Sequence, residues 1–118
     1  MALYIGFYHA TEEFVRSERE RIVSGEWQDE SGANPPPPER FQRKLRGFPA
    51  FLQSRGVDLV ASYTPIGFGT GTNPARGRPP GVLIIQTENE DDLAAVNAYY
   101  FGYVTFSFSR YNALDRNQ

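Results

Sequence analysis

The chain has 118 residues, a formal net charge of −2, one histidine and no cysteine. This length predicts a single domain, residues 1–118, whose core is large enough to fold without disulfides or a metal ion. A Cys/His zinc site within one subunit and a thiolate nucleophile are both excluded. Acidic and basic residues are interspersed and nearly balanced, which argues against a nucleic-acid-binding protein because such proteins usually carry a basic face.

The sequence contains no segment that predicts contact with a membrane. No apolar run approaches the roughly 20 residues that a membrane-spanning helix needs, and residues 1–10 lack the basic start of a signal peptide. The absence of cysteine agrees with a reducing compartment. We therefore expect a cytoplasmic protein with no membrane partner.

Residues 2–9 predict the first β-strand, in which one face carries Leu3, Ile5, Phe7 and His9 and the other carries Tyr4, Gly6 and Tyr8. We interpret the first set as facing the helices of the domain. His9 would then lie at the end of the strand, beside any cleft between the sheet and the helices. Tyr4 and Tyr8 would belong to the opposite face.

A helix and a proline-rich insert follow this strand. Thr11 predicts the N-cap of the helix, which ends near Ser24. Residues 25–38 are rich in Gly, Ser, Asn and Pro and predict a loop. Its four consecutive prolines match the P-x-x-P pattern of SH3 ligands, but we interpret them as a stiff spacer in the polyproline II conformation. Trp27 is expected to pack against the body of the domain or to cover a pocket.

The rest of the chain predicts two more helices and three more strands. Residues 39–55 carry an apolar stripe at helical spacing, formed by Phe41, Leu45, Phe48 and Leu52. Strands are predicted at 57–64, 81–87 and 103–111, and a capping box from Thr87 to Glu90 predicts a helix that ends near Tyr100. The Gly/Pro-rich segment 65–80 lacks the G-x-G-x-x-G and G-K-[ST] patterns of phosphate-binding loops. We interpret it as a long connection that could close over a cleft.

The order of these elements, β-α(α)-β-β-α-β, predicts an α+β protein with the ferredoxin-like, split βαβ arrangement. In that arrangement four antiparallel strands form one sheet, and the helices lie on one of its faces. An aromatic sheet face without a cover is an aggregation risk. We therefore expect the other face to pack sheet to sheet against a second copy, which forms a homodimer.

Over residues 2–111 the chain resembles the dimeric α+β barrel superfamily in element order, in length and in its aromatic first strand that ends in histidine. The segments RGVDLVASY (55–63) and YYFGYVTFSFSRYNA (99–113) are similar to small bacterial members of that superfamily. The superfamily contains cofactor-free monooxygenases, polyketide-type cyclases, lactone isomerases and heme-degrading enzymes, together with proteins of no assigned activity. The resemblance implies a cofactor-independent enzyme. The Pro-rich insert departs from the family pattern, and so does the single histidine, which argues against heme ligation.

His9 is the candidate general base for a small aromatic or polyketide-like substrate, because a neutral imidazole at the mouth of an apolar cleft can accept a proton. Tyr63 or Arg110 would stabilise the resulting oxyanion, and Asp58 would orient His9 if the fold brings the two together. The expected substrate-binding side chains are aromatic: Phe7, Trp27, Tyr100, Phe106 and Phe108. We expect no cofactor and no metal ion.

The competing hypothesis is a non-catalytic small-ligand-binding or dimeric assembly module, in which the aromatic residues serve subunit packing. His9 would then be a structural residue that is bonded to the main chain near the start of the first helix. A buried His9 ring with no cavity beside it would favour this hypothesis, whereas an adjacent apolar cavity would favour catalysis.

Overall fold

A computed structural model describes residues 1–24, 38–65 and 79–112 of the chain. Their elements are β1 (Ala2–Ala10), α1 (Glu12–Val23), α2 (Glu39–Ser54), β2 (Asp58–Tyr63), β3 (Gly81–Thr87), α3 (Asp91–Tyr99) and β4 (Val104–Tyr111). The prediction of an α+β protein with four strands and three helices in this order is confirmed. Trp27, the Pro-rich insert up to residue 37 and the connection 66–78 lie outside the described residues.

The four described strands form one antiparallel sheet in the order β2-β3-β1-β4. β1 and β3 are the central strands, and β2 and β4 are the edges. Because each neighbouring pair is antiparallel, β1 and β2 run parallel with β3 between them, and β3 and β4 run parallel with β1 between them. A four-stranded antiparallel sheet with helices is compatible with a ferredoxin-like fold.

Thr11 begins α1, as its position in the sequence predicts. The amide of Phe14 donates to the Thr11 hydroxyl at 3.1 Å, which is an N-cap bond. The Thr11 amide also donates to the carbonyl of Tyr103 at 2.9 Å, in the turn that precedes β4. The Phe14 ring packs on the rings of Tyr103 and Phe41, with centroids 5.3 and 5.2 Å away. These contacts hold α1 against the start of α2 and that turn.

α3 begins later than the capping box predicts. Thr87 is the last residue of β3, and the helix starts at Asp91. The Thr87 hydroxyl donates to the carboxylate of Asp92 and accepts from the amide of Asn89 at 3.1 Å. The side chain of Asn89 accepts from the amide of Asp91 at 2.9 Å. The predicted N-cap role of Thr87 is therefore wrong, because Asp92 engages its hydroxyl and Asn89 bonds the first helical amide.

The core lies between one face of the sheet and the helices. Its sheet residues are Tyr4, Leu83, Ile85, Val104 and Phe106, and the others are Phe48 and Leu52 of α2, Val57 just before β2, Val96 of α3 and Tyr100 just after α3. The predicted stripe of α2 is confirmed at Phe48 and Leu52, which are buried, whereas Leu45 is exposed. Burial of these side chains is the main force that holds α2 and α3 on the sheet.

The predicted orientation of β1 is wrong by one residue. The side that faces the helices carries Tyr4, Gly6 and Tyr8, and the opposite side carries Leu3, Ile5, Phe7 and His9. The Phe108 ring lies over Gly6, where an added Cβ would come within 2.5 Å of its Cε1 atom, and the Tyr8 ring lies over Gly81. A side chain at either glycine would displace a ring, so the two glycines determine which face can hold these aromatic residues.

Candidate functional site

The candidate functional surface is the sheet face opposite the helices, which we call the open face. Residues directly opposite each other on neighbouring strands share a face. The register therefore defines its members: Leu3, Ile5, Phe7 and His9 of β1, Val82, Ile84 and Gln86 of β3, Asp58, Ala61 and Tyr63 of β2, and Thr105, Ser107, Ser109 and Tyr111 of β4. Every one of these residues is at least partly exposed.

The centre of the open face is apolar. Ile5 and Phe7 of β1 lie beside Ile84 and Val82 of β3, and Tyr63 of β2 extends the row from Phe7 and Val82. Phe7 and Tyr63 are 41% and 62% exposed. Toward β4 the face changes to hydroxyl groups. It thus combines an apolar centre with a neutral polar side.

The open face is also large enough to matter for association. Four strands about 4.8 Å apart, each about seven residues long at about 3.3 Å per residue, give the whole face, including its apolar centre, a projected area of about 450 Å². Asp58, at one corner, is the one described residue of this face with a full charge at neutral pH. Contiguous apolar patches of several hundred Å² on a protein surface commonly mark an interaction site.

His9 lies on the open face near the end of β1. Its side chain is exposed and has no hydrogen bond to any residue that the structure describes. Its cross-strand neighbour is Thr105 of β4. Because β1 is a central strand, His9 lies over the middle of the sheet's width. The prediction that His9 shares the face of the helices is therefore wrong, and any site that it forms lies on the opposite face.

Tyr63 is the predicted catalytic residue that the fold places on the same face and toward the same end of the sheet as His9. It lies opposite Val82, which in turn lies opposite Phe7, so the three side chains form a row across three strands. His9 follows Phe7 by two residues on the same side of β1. The open face thus brings one imidazole and two exposed aromatic rings, Phe7 and Tyr63, to one end of the sheet.

Asp58 and Arg110 are not brought to His9 within one subunit. Asp58 aligns across β3 with Leu3, which is six residues from His9 and so about 20 Å away along the strand. Arg110 lies opposite Tyr4 and belongs to the helix-covered face. The hypothesis that Asp58 orients His9 therefore does not hold within one subunit, and Arg110 cannot act beside His9 there.

Three aromatic residues predicted to bind substrate pack together on the helix-covered face. Tyr100 and Phe106 are buried, with ring centroids 5.6 Å apart, and Phe108 stacks on Phe106 at 5.5 Å. Burial raises the pKa of Tyr100 well above its usual range, and the neighbouring Tyr99 and Tyr8 add to the shift. These rings are part of the protein core and its margin, where Tyr100 stays a neutral phenol.

Two surface clefts lie away from the open face. The larger, of about 610 Å³, is bounded by α1, the start of α2 and the turn before β4. The smaller, of about 390 Å³, lies beside Arg55 and Asp92. Neither cleft is lined by His9, Tyr63 or Arg110, so neither unites the residues predicted for proton transfer.

An ion pair between buried Asp92 and partly exposed Arg55 borders the smaller cleft. Asp92 is 4% exposed, and its carboxylate accepts from Nε of Arg55 at 2.8 Å and from the Thr87 hydroxyl. The guanidinium of Arg55 also lies over the ring of Phe51, with 6.0 Å to the centroid. Because these contacts join the end of α2, the end of β3 and the first turn of α3, the cluster is structural.

Four apolar residues of the open face were not found from the sequence. Leu3 and Ile5 were assigned to the wrong face, and Val82 and Ile84 were not singled out. Alternation alone could not orient β1, because both of its sides are largely apolar. Gly6 was the available signal. A glycine between large residues in a strand marks a close approach by another group, here the ring of Phe108.

Within the described ranges, no three His, Cys, Asp or Glu side chains lie close enough together to hold a metal ion. None of the described helices is long and apolar enough to cross a membrane. Comparison of the sequence with protein-family models and with curated proteins finds no match.

Proposed function

We propose that this protein is a homodimer of the dimeric α+β barrel type, in which two copies pack their open faces against each other. Self-association through this face is the function that the geometry supports best. The observation that carries the proposal is the apolar centre of the open face, where Ile5, Phe7, Val82 and Ile84 lie side by side on the two central strands.

The strand order supports the ferredoxin-like part of this proposal. Each helical crossover skips one strand, because β3 lies between the parallel strands β1 and β2, and β1 lies between the parallel strands β3 and β4. Two crossovers that each leave room for one strand are what a split βαβ pair requires. The helices then share one face, and the other face is left for a partner.

A second copy is the occupant that fits the open face best. A two-fold dimer uses the same patch on both subunits, and a patch with a single carboxylate meets its copy with little like-charge repulsion. A standard interface buries about 800 Å² of accessible surface on each partner. The accessible area of a pleated face with protruding side chains such as Phe7 and Tyr63 exceeds its projected area, which is about 450 Å².

The test is a pair of matched substitutions of exposed phenylalanines. Phe7→Glu puts a carboxylate into the centre of the open face, where burial of an unpaired charge costs several kcal/mol. We expect it to raise the dissociation constant of the dimer at least about 100-fold, measured by sedimentation equilibrium. Phe101→Glu is the control, because Phe101 is 85% exposed in the turn before β4, and this variant should dimerise like the parent protein.

A Phe7→Glu variant that dimerises as tightly as Phe101→Glu would place the interface elsewhere and contradict the proposal. A parent protein that is monomeric would likewise contradict the proposal. Circular dichroism of both variants verifies that the subunit itself remains folded.

A second candidate, a proton-transfer enzyme, is favoured by the grouping of His9, Phe7 and Tyr63 at one end of the open face. In the proposed dimer the second sheet would exclude water from this group, so that a small aromatic or polyketide-like molecule would bind between subunits. His9 would accept a proton from the substrate as general base. The Tyr63 hydroxyl, from either subunit, would stabilise the oxyanion. This chemistry requires neither a cofactor nor a metal ion.

A nitrobenzisoxazole tests this candidate without knowledge of the natural substrate. When a base removes the proton from its ring carbon, the N–O bond breaks and a coloured cyanophenolate forms. We expect the protein to accelerate this opening about 10²-fold or more over free imidazole, and His9→Gln to abolish the acceleration while the dimer persists. Equal rates for the parent protein and His9→Gln would contradict the catalytic role and leave the dimer proposal intact.

A further inference from the structure

We infer that protonation of His9 weakens the proposed dimer, so that the open face is a pH-sensitive interface. The inference rests on the proposed dimer and concerns its regulation. His9 is the only histidine of the chain, and histidine is the side chain whose ordinary titration falls between about pH 5 and 8. A pH response of the interface in that range therefore has one side chain as its natural source.

The position of His9 places its ring within the contact area. The residue belongs to a central strand and shares a face with Ile5 and Phe7. Its ring is exposed in the single subunit. A second sheet laid on the open face would therefore cover the ring. A neutral imidazole can be buried there at modest cost, whereas an imidazolium loses its hydration and needs an anionic partner.

The groups that face His9 do not supply that partner. The neighbouring members of the open face are Phe7 on the same strand and Thr105 on β4. The other ionisable side chains of the described open face are Tyr63, Tyr111 and Asp58. Of these, only Asp58 is an anion at neutral pH, and it lies about 20 Å along the strands from His9.

The second copy does not bring its Asp58 to His9 either. In an aligned packing of two sheets, a two-fold axis along the strands keeps the two groups at opposite ends of the interface. An axis across the strands brings them to the same end, but Asp58 is on the edge strand β2 and His9 is two strands away on β1. That offset is about 10 Å across the sheet. Among the described residues of the two open faces, an imidazolium in the interface therefore has no close counter-charge.

The size of the effect follows from proton linkage. A symmetric dimer contains two copies of His9, so two protons are released when two protonated subunits associate. Histidine side chains ordinarily titrate near pH 6.5. If both rings must be neutral in the dimer, a change from about pH 7.5 to about pH 5.5 raises the dissociation constant about 100-fold.

The experiment measures the dissociation constant of the full chain by sedimentation equilibrium at about pH 7.5 and about pH 5.5. We expect it to rise about 100-fold for the parent protein and to change less than about threefold for His9→Gln and for His9→Leu, the second neutral variant. Circular dichroism at both pH values establishes that the subunit remains folded.

A parent dimer whose affinity does not fall at the lower pH would overturn the inference and leave the dimer itself standing. The same holds if both neutral variants respond to pH as strongly as the parent protein. A parent chain that is monomeric at both pH values would instead refute the dimer, so the two failures are distinguishable.

Discussion

The carboxylate of Asp92 is buried and accepts hydrogen bonds from two side chains. It is held by Arg55 and by the Thr87 hydroxyl, which comes from the last residue of β3. Every buried polar side-chain atom in the described part of the chain has a hydrogen-bond partner. Removal of one donor therefore leaves a buried carboxylate oxygen unsatisfied, a change that costs about 1–3 kcal/mol.

Substitution of Thr87 tests this arrangement. Thr87→Val keeps the shape of the side chain but removes the hydroxyl, and we expect the free energy of unfolding to fall by about 1–3 kcal/mol. Thr87→Ser is the control, because it retains the hydroxyl donor. Urea denaturation followed by circular dichroism measures both variants. Equal stability of the valine and serine variants would show that the hydroxyl contributes nothing to Asp92.

Thr11 and Thr87, the two threonines that the sequence predicts as N-caps, show which single-residue roles a sequence can reveal. The N-cap role of Thr11 was predictable, because the bond from Phe14 spans only three residues. Thr87 has the same local pattern, yet its hydroxyl engages Asp92 and the helix starts at Asp91. A local pattern cannot indicate that choice, because the Asp92 carboxylate is also held by Arg55, which follows α2 and is distant in the sequence.

Among the elements, β4 is an edge strand whose outer main chain is partly occupied by α3. The Asn97 side chain donates from Nδ2 to the carbonyl of Phe106 at 3.2 Å, and its Oδ1 accepts from the Phe106 amide at 2.8 Å. One side chain thus satisfies both outward groups of a strand residue. Such a bond pair holds α3 on the sheet and also blocks the strand edge against pairing with another chain.

Replacement of Asn97 tests the link between α3 and β4. Asn97→Ala leaves both main-chain groups of Phe106 without their partner, and we expect the unfolding free energy to fall by about 1–3 kcal/mol. The Phe106 amide should exchange its hydrogen faster. Asn112→Ala is the control, because Asn112 is exposed just after β4. If Asn97→Ala matches this control in stability and in Phe106 exchange, the proposed link is wrong.

The elements were predictable where their signals are local. Alternation and helical periodicity predicted all four strands and three helices, with ends within a few residues. The orientation of β1 was not predictable from alternation, because both of its sides are largely apolar or aromatic. Gly6 and Gly81 determine which side of β1 faces the helices. They do so because the rings of Phe108 and Tyr8, from the neighbouring strands, lie over them.

For the whole molecule, the candidate site depends on how distant strands align, and that is why its prediction failed in part. Asp58 and Arg110 were plausible partners of His9 by residue type. The register puts Asp58 at the other end of the open face and Arg110 on the helix-covered face. No signal near these residues in the sequence encodes that alignment, which arises from pairing between β1 and strands that follow dozens of residues later.

The open face is the feature of the whole molecule that these observations converge on. Its glycine-free, apolar centre lies on the side of the sheet opposite the core. The buried side chains of α2 and α3 already pack in that core, on the other face of the sheet. An exposed apolar sheet face of this kind commonly marks an interaction site or an aggregation risk, which a covering partner removes. The proposed dimer, the proposed pH response and the candidate catalysis at His9 all involve this surface, and all require that it be covered.

The most direct test is the molar mass of the unmodified chain by sedimentation equilibrium near neutral pH, over a range of micromolar concentrations. We expect a species of twice the 13.3 kDa of the single chain, which dissociates on dilution and is lost in Phe7→Glu. A mass of 13.3 kDa at every concentration, for a folded protein, would contradict the proposed dimer.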